Sequence, residues 1–276
     1  MRVIRHVAEA QRAGRPRVVA AGEFDGVHRG HQLLLARVVE CARAVQGESV
    51  ALVARRGAGA PRLLDRRAQL ELLRATGLDV VVFAPAEQLA AAVGRLGAML
   101  CVSARPEAGV PSGARLEAVP RLAADGVPIS ADAIRAALAR GDLPAARAML
   151  GRDPSVGGRV VHGFHRGAPL GIPTANLRLR DIQLPPDGVY AVRARVAGTV
   201  LRGVANVGFN PTFGNQIRTV ETHLLDFNGD LYRQRLEVAF AVRLRDERKF
   251  PDVPALVAQI HADIAAGRQW FDAHGG

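Results

Sequence analysis

The segment from Gly163 to Asn176, with the sequence GFHRGAPLGIPTAN, joins a glycine-rich stretch to polar side chains. Its glycines, Gly163, Gly167 and Gly171, permit a backbone that curls closely around a ligand. Exposed backbone amides in such loops bind phosphate oxygens, and Arg166 adds a positive charge. The pattern is typical of a loop that covers a phosphorylated ligand, although glycine spacing alone has low specificity.

Thr174 and Asn176 follow this loop and are two residues apart. If Pro173–Leu177 is extended, a hydroxyl and an amide project to one face of the chain. Oxygen atoms of this kind suit a magnesium ion carried on a nucleotide phosphate. The alternative is a turn in which the two side chains cap their own backbone.

A second polar cluster lies near the start of the chain, in the sequence GEFDGVHRGH from Gly22 to His31. His28 and His31 flank Gly30 between a predicted strand and a predicted helix. Imidazoles beside a helix N-terminus can stabilise the charge that builds on a transferring phosphate. This arrangement is typical of a nucleotidyl-transfer site.

The first half of the chain alternates apolar runs with helical stretches, which is typical of a parallel sheet flanked by helices. The sequence predicts a loop from Ser103 to about Pro120, followed by two short helices separated by Gly141–Asp142. The predicted strands and helices, in chain order, are Val18–Gly22, Gln32–Val45, Val50–Ala54, Arg66–Thr76, Val80–Phe83, Ile129–Ala139 and Leu143–Leu150.

The second half consists of short β-branched segments separated by Gly and Pro, which favours an antiparallel barrel or sandwich. A closing amphipathic helix is expected from Pro254 onward. We therefore predict two domains, 1–152 and 153–276. The predicted strands of the second domain are Gly158–Val161, Gly188–Val196, Thr199–Val207, Thr219–Leu225 and Leu236–Leu244.

Composition restricts the classes of function. The net charge is +11, but all of the 37 basic residues except Lys249 are Arg, which indicates a general compositional bias and not a selected nucleic-acid surface. No apolar run approaches the roughly 20 residues that cross a bilayer. Cys41 and Cys101 have no metal-ligand spacing. We expect a cytoplasmic protein that binds small molecules, with no nucleic-acid or membrane partner and possible self-association.

From about Gly157 to Phe271 the chain resembles the riboflavin kinase family, whose fold is a six-stranded antiparallel barrel with a C-terminal helix. Several separated motifs occur in the family's order, which is far more specific than any one of them. They are Pro173–Asn176, Gly188–Tyr190, Gly203–Gly208, Asn210–Phe213, Val220–Asp226, Asp230–Tyr232, Arg245–Phe250 and the later pair Ile260 and Asp263.

This resemblance implies roles for individual residues. Thr174 would bind magnesium together with the ATP phosphates, Asn176 would lie beside that metal, and Gly163–Gly171 would fold over the nucleotide. Glu221 would accept the proton of the riboflavin 5′-hydroxyl, in a reaction that depends on positioning and charge neutralisation. A surface carboxylate on a strand is the alternative for Glu221. His223 shares its face and is interpreted as a structural neighbour.

The segment Gly22–His31 resembles the opening motif of the prokaryotic FAD synthetase module, a Rossmann-like α/β nucleotidyltransferase fold. The family's later Ile-Ser-Ser-Thr-x-Ile-Arg motif reads Ile129-Ser-Ala-Asp-Ala-Ile-Arg135 here, so that Ala131 and Asp132 replace two hydroxyl donors. A carboxylate facing a triphosphate repels it. We therefore expect a degenerate adenylyltransferase site, formed by Asp25, His28, His31, Ser130 and Arg135. In the kinase loop, Ala168 stands where the family usually has a second basic residue.

Three functions follow from these patterns. The first is a riboflavin kinase that makes FMN from riboflavin and ATP with magnesium, with a vestigial first domain. The second is a bifunctional enzyme that also adenylylates FMN to FAD. The third is a regulator that binds flavin and nucleotide without turnover; the retention of Thr174, Asn176 and Glu221 argues against it.

Overall fold

The structure is a computed structural model that describes residues 1–10, 14–55, 57, 59–105, 113–161, 172–210 and 217–275. The chain divides into two compact units. The first consists of residues 1–60, 66–133 and 149–151, and the second of residues 61–65, 134–148 and 152–276. Two stretches from the first half of the sequence, 61–65 and 134–148, therefore belong to the second unit.

The first unit contains a six-stranded parallel sheet in the order β1-β4-β3-β2-β5-β6, as the alternation of apolar and helical stretches predicted. Its central strands are buried on both faces, which explains their continuous apolar sequences. The elements are β1 (Arg2–Ile4), β2 (Arg17–Gly22), α1 (Arg29–Ala44), β3 (Glu48–Arg55), α2 (Arg66–Ala75), β4 (Val80–Pro85), α3 (Leu89–Arg95), β5 (Ala98–Ser103) and β6 (Arg115–Ala118).

The segment predicted as a loop from Ser103 to Pro120 contains strand β6, so that prediction is wrong at Arg115–Ala118. After β6, a two-stranded hairpin precedes two short helices. These elements are β7 (Ala123–Ala124), β8 (Val127–Pro128), α4 (Ala131–Ala139) and α5 (Leu143–Leu150).

The second unit contains a closed six-stranded barrel in the order β10-β13-β12-β11-β14-β9, and all its strand pairs are antiparallel. This confirms the predicted barrel. Buried Tyr190 and Phe240 meet edge to face with ring centroids 5.3 Å apart. The strands are β9 (Ser155–Val161), β10 (Ala175–Arg178), β11 (Gly188–Val196), β12 (Thr199–Asn210), β13 (Ile217–Leu224) and β14 (Arg235–Asp246).

The predicted closing helix is α6 (Val253–His274), and it packs on β11, β12 and β14. Asp252 caps its first turn by accepting a 2.8 Å hydrogen bond from the amide of Ala255. Buried Asp263 accepts two hydrogen bonds from Arg245 of β14, at 2.8 and 2.7 Å. This bidentate pair fixes the helix against the barrel. No helix in the described ranges is long and apolar enough to span a membrane.

Candidate active site of the barrel unit

Three polar residues form a row across adjacent strands of the barrel. Asn176 of β10 lies directly opposite Glu221 of β13, and Glu221 lies directly opposite Asn206 of β12. Residues opposite each other in an antiparallel ladder project to the same face, with Cβ atoms about 4.5–5.5 Å apart. The row therefore places one amide on each side of a single carboxylate.

The alternation of burial along these strands explains why the row is accessible. Ala175 and Leu177 flank Asn176 and are 7% and 3% exposed, whereas Val220 and Thr222 flank Glu221 and are 0% and 1% exposed. These neighbours project into the barrel core because successive side chains alternate between the two faces of a strand. Asn176 and Glu221 are half-buried on the opposite face.

Thr174 lies immediately before β10, and the backbone there is held from β13. Nδ1 of His223 is 2.9 Å from the carbonyl oxygen of Pro173, and the protonated nitrogen donates to that oxygen. His223 is two residues from Glu221 and shares its strand face. The side chain that was interpreted as a structural neighbour therefore fixes the residue that precedes Thr174.

The oxygen donors available here suit magnesium that arrives with a ligand. Thr174 would contribute a hydroxyl and Asn176 an amide oxygen, and the carboxylate of Glu221 lies on the strand position opposite Asn176. The described part of the chain contains no group of three or more His, Cys, Asp or Glu residues arranged to hold a metal. Mg²⁺ is usually bound by one or two protein carboxylates plus substrate phosphates. The residues present fit that mode, and not a preformed protein cage.

The predicted phosphate-binding loop lies in the sequence between β9 and β10. Gly163, Arg166, Gly167 and Gly171 lie outside the described residues. Val161, the last described residue before this segment, is the register partner of Asn176.

In the first unit, a strained turn connects β2 to α1. Phe24 and Val27 have left-handed backbone conformations, with φ of 50° and 40°, and Gly26 has φ of 77°. A positive φ at a β-branched residue is a genuine outlier, and such strain concentrates at functional sites. The turn buries Asp25 and brings His28 to the N-cap of α1.

His28 and His31 lie in contact with each other. Their rings stack with centroids 3.6 Å apart, and the amide of His31 donates to Nδ1 of His28 at 3.3 Å. Burial, together with the charge of His28, holds the pKa of His31 well below its usual range. His31 is therefore neutral at physiological pH. Its Nδ1 is buried without a hydrogen-bond partner among the described residues.

The remaining predicted adenylyltransferase residues have structural contacts of their own. Ser130 accepts a 3.1 Å hydrogen bond from the amide of Ala133 and so caps α4. Asp132 occupies the first turn of that helix, where a negative charge is favoured by the helix dipole. Arg135 is buried in the second unit, where its Nε donates to the carbonyl of Pro61 at 2.7 Å.

Sequence reasoning missed the position of Asn206 in the polar row. The signal was present in the motif Gly203–Gly208, because Val204, Asn206 and Gly208 share one strand face. The pairing of β12 with β13, which the motif itself does not reveal, makes Asn206 the partner of Glu221.

Comparisons with known proteins agree with this architecture. Residues 150–271 match the riboflavin kinase family model, and residues 10–93 match the FAD synthetase model. The chain is 33% identical over 305 residues to a bifunctional riboflavin kinase/FMN adenylyltransferase of Pseudomonas fluorescens, covering 97% of both chains. It is also 33% identical over 310 residues to the Haemophilus influenzae protein of the same name, covering 99% of this chain and all of that one.

The fold also matches a solved structure over nearly its full length. The crystal structure described as a macrolide-efflux protein from Streptococcus pneumoniae superposes with a TM-score of 0.82 at 26% identity, covering 98% of this chain and 100% of that one. The two family models match successive parts of the chain, and the two relatives match it over nearly its whole length. Together these matches identify the family. The chain belongs to the bifunctional riboflavin kinase/FMN adenylyltransferase family.

Proposed function

We propose that the barrel unit is a riboflavin kinase in which Glu221 accepts the proton of the riboflavin 5′-hydroxyl. The attacking oxygen forms a bond to the γ-phosphorus of ATP as the bond to ADP breaks, giving FMN and ADP. A positioned carboxylate is the group this step requires, since phosphoryl transfer depends mainly on alignment and charge neutralisation. We assign the activity to the cytoplasm.

The observation that carries this proposal is the row formed by Asn176, Glu221 and Asn206. The amides on either side can orient the carboxylate and the hydroxyl that it deprotonates, because neither amide titrates. A regulator that only bound flavin would gain nothing from a carboxylate held in this way. The row therefore favours catalysis over binding alone.

Thr174 and Asn176 would hold magnesium through oxygen atoms, and the ion would supply positive charge to the phosphate oxygens when bound. His223 would support this role by fixing the carbonyl of Pro173. The loop residues Gly163, Arg166, Gly167 and Gly171 are proposed to bind the nucleotide, on the basis of their sequence pattern.

For the first unit we propose weak or absent adenylyl transfer. Ala131 and Asp132 replace two hydroxyl donors of the family motif, and Ser130 uses its hydroxyl oxygen as a helix cap. A missing donor leaves phosphate charge uncompensated. The second candidate function is the full bifunctional enzyme, which the stacked, adjacent His28 and His31 favour.

One experiment distinguishes these functions. The purified chain is incubated with riboflavin, ATP and magnesium, and FMN and FAD are separated by chromatography; a parallel reaction with FMN and ATP is assayed for pyrophosphate. We expect FMN with little FAD or pyrophosphate. Rapid FAD formation would establish the bifunctional enzyme, and the absence of both products would contradict the kinase assignment.

A further inference from the structure

A five-residue segment from the first half of the sequence is built into the barrel unit. This segment, Pro61–Asp65, is here called the strap. Residues on both sides of it, up to Ala60 and from Arg66, belong to the parallel-sheet unit. Leu63 and Leu64 in the strap are 5% and 6% exposed. The strap is therefore a fixed part of the second unit and not a surface linker.

The strap is held by its backbone beside the segment that follows β10. The amide of Arg62 donates to the carbonyl of Asp181 at 2.7 Å, and the amide of Gln183 donates to the carbonyl of Arg62, also at 2.7 Å. Together these form a parallel bridge between Arg62 and Ile182. One end of the strap is thus attached next to the short strand that carries Asn176.

At its other end the strap forms an ion pair with β14, and this pair lies against β9. Oδ2 of Asp65 is 2.6 Å from Nη2 of Arg235, and both side chains are about one-quarter exposed. The pair lies directly over Gly157 of β9: a Cβ at that position would lie 2.7 Å from Oδ2 of Asp65. The absence of a side chain at Gly157 makes room for the ion pair.

Arg235 begins a row of three arginines on adjacent strands. Arg235 of β14 is the register partner of Arg159 of β9, and Arg159 is the register partner of Arg178 of β10. Like charges directly opposite each other weaken a strand pair. Asp65 neutralises one end of this row, and Arg178 at the other end is two residues from Asn176.

We propose that Asp65 is a positioning residue for phosphoryl transfer, deepening the proposed kinase function on which the inference rests. Strand β10 has only four residues and three register pairs on each side, so its own ladder holds it weakly. By neutralising Arg235, Asp65 limits the repulsion that acts on the β9–β10 pair. This keeps Asn176 opposite Glu221.

The test uses the full chain with Asp65→Asn, which keeps the shape of the side chain but removes its charge. We expect kcat for FMN formation to fall about three- to tenfold with a nearly unchanged KM for riboflavin, because register and not substrate contact is altered. Raising the salt concentration should recover part of the loss, since it screens repulsion between exposed charges. Asp65→Glu should retain activity.

Second-site rescue separates positioning from a general loss of stability. In Asp65→Asn/Arg159→Gln the central charge of the row is removed, so kcat should return toward the wild-type value. Asp272→Asn, which breaks an exposed ion pair with Arg202 in the same unit, is the matched control and should leave kcat unchanged. Thermal unfolding is measured for every variant.

The outcomes are distinct. An unchanged kcat in Asp65→Asn, or a loss that neither salt nor the Arg159 substitution relieves, overturns the inference while leaving the kinase assignment intact. A wild-type chain that makes no FMN would instead contradict the proposed function. If Asp65→Asn alone does not fold, a folded and active double variant supports the inference, and a double variant that also fails to fold overturns it.

Discussion

Asn176 and Glu221 lie directly opposite each other on β10 and β13 although 45 positions separate them in the numbering, and Asn206 extends the pair to β12. Strand pairing, and not proximity in sequence, thus assembles the polar row. The alternating buried residues on both strands fix this register, because a slip by one residue would turn Glu221 into the core. The candidate catalytic carboxylate is therefore positioned by the core of the barrel.

Replacing Glu221 with Gln should lower kcat for FMN formation by about 10²- to 10⁴-fold, the range for a positioned general base. The amide keeps the size of the side chain but cannot accept the proton. Steady-state kinetics with riboflavin and Mg-ATP, together with flavin fluorescence to measure binding, test this. Turnover at the wild-type rate would exclude Glu221 as the base.

Replacing Thr174 or Asn176 with Ala should raise the magnesium concentration required for half-maximal activity, because each change removes one oxygen ligand. Excess magnesium should restore part of the rate. Thr174→Ser is the matched control, since it keeps the hydroxyl and should behave like the wild-type chain. A loss that is insensitive to magnesium would contradict the metal-binding role.

Replacing His223 with Ala should lower activity about twofold to twelvefold, because the loss of one hydrogen bond, roughly 0.5–1.5 kcal/mol, frees the carbonyl of Pro173 beside Thr174. In His223→Asn the side-chain amide can occupy the position of Nδ1 and donate to the same carbonyl. We expect this variant to recover most of the rate. Equal rates for the Ala and Asn variants would show that the hydrogen bond has no functional role.

Much of the fold could be predicted from local patterns. The parallel sheet and the barrel both have buried strands with strong apolar signals, and the start of α6 is marked by Pro254. Strand β6 was missed because three of its four residues are exposed, which leaves no periodic apolar pattern at Arg115–Ala118. The glycine-rich segment and the His28–His31 motif stand out in the sequence because their residue types are distinctive, and the roles assigned to them stay predictions.

Long-range relationships were not predictable from the sequence. Asp65 and Arg235 are 170 positions apart, and the residues next to each of them in the sequence form no recognisable motif. The arginine row also depends on register, which becomes visible only when β9, β10 and β14 are paired. Both features arise from tertiary pairing, for which a single sequence provides no local signal.

The buried His31 should make the first unit less stable at acidic pH. Its folded-state pKa lies below the unfolded value of about 6.5, so the unfolded chain binds more protons between those two values. The contribution of neutral His31 to the free energy of unfolding is therefore present above pH 6.5 and is lost as the pH falls below that value. His31→Phe keeps a flat ring against His28 and should remove this contribution. Calorimetry from pH 5 to 8 measures the melting temperature of both chains. The prediction is contradicted if the melting temperatures of the variant and the wild type change with pH in the same way.

Two truncated chains test how far the barrel unit depends on the helices that cluster with it. A chain starting at Asp153 lacks 134–148, whereas one starting at Ile129 keeps them. The longer chain retains the ion pair between Arg147 and Asp153, and the 3.5 Å hydrogen bond from Arg147 to the carbonyl of Ala241.

Both truncated chains should form FMN, because both contain all six barrel strands, α6 and the polar row. Both also lack the strap, so their kcat values should be reduced to a similar extent.

The longer chain should unfold at a higher temperature, since α4 and α5 bury apolar side chains such as Ile134, Leu138 and Leu143, each contributing roughly 1.5–3 kcal/mol when fully buried. Differential scanning calorimetry and FMN assays on the same samples check both expectations. Equal melting temperatures would show that the helices are not needed for barrel stability, and a complete loss of FMN formation in both chains would show that the barrel alone is not a competent kinase.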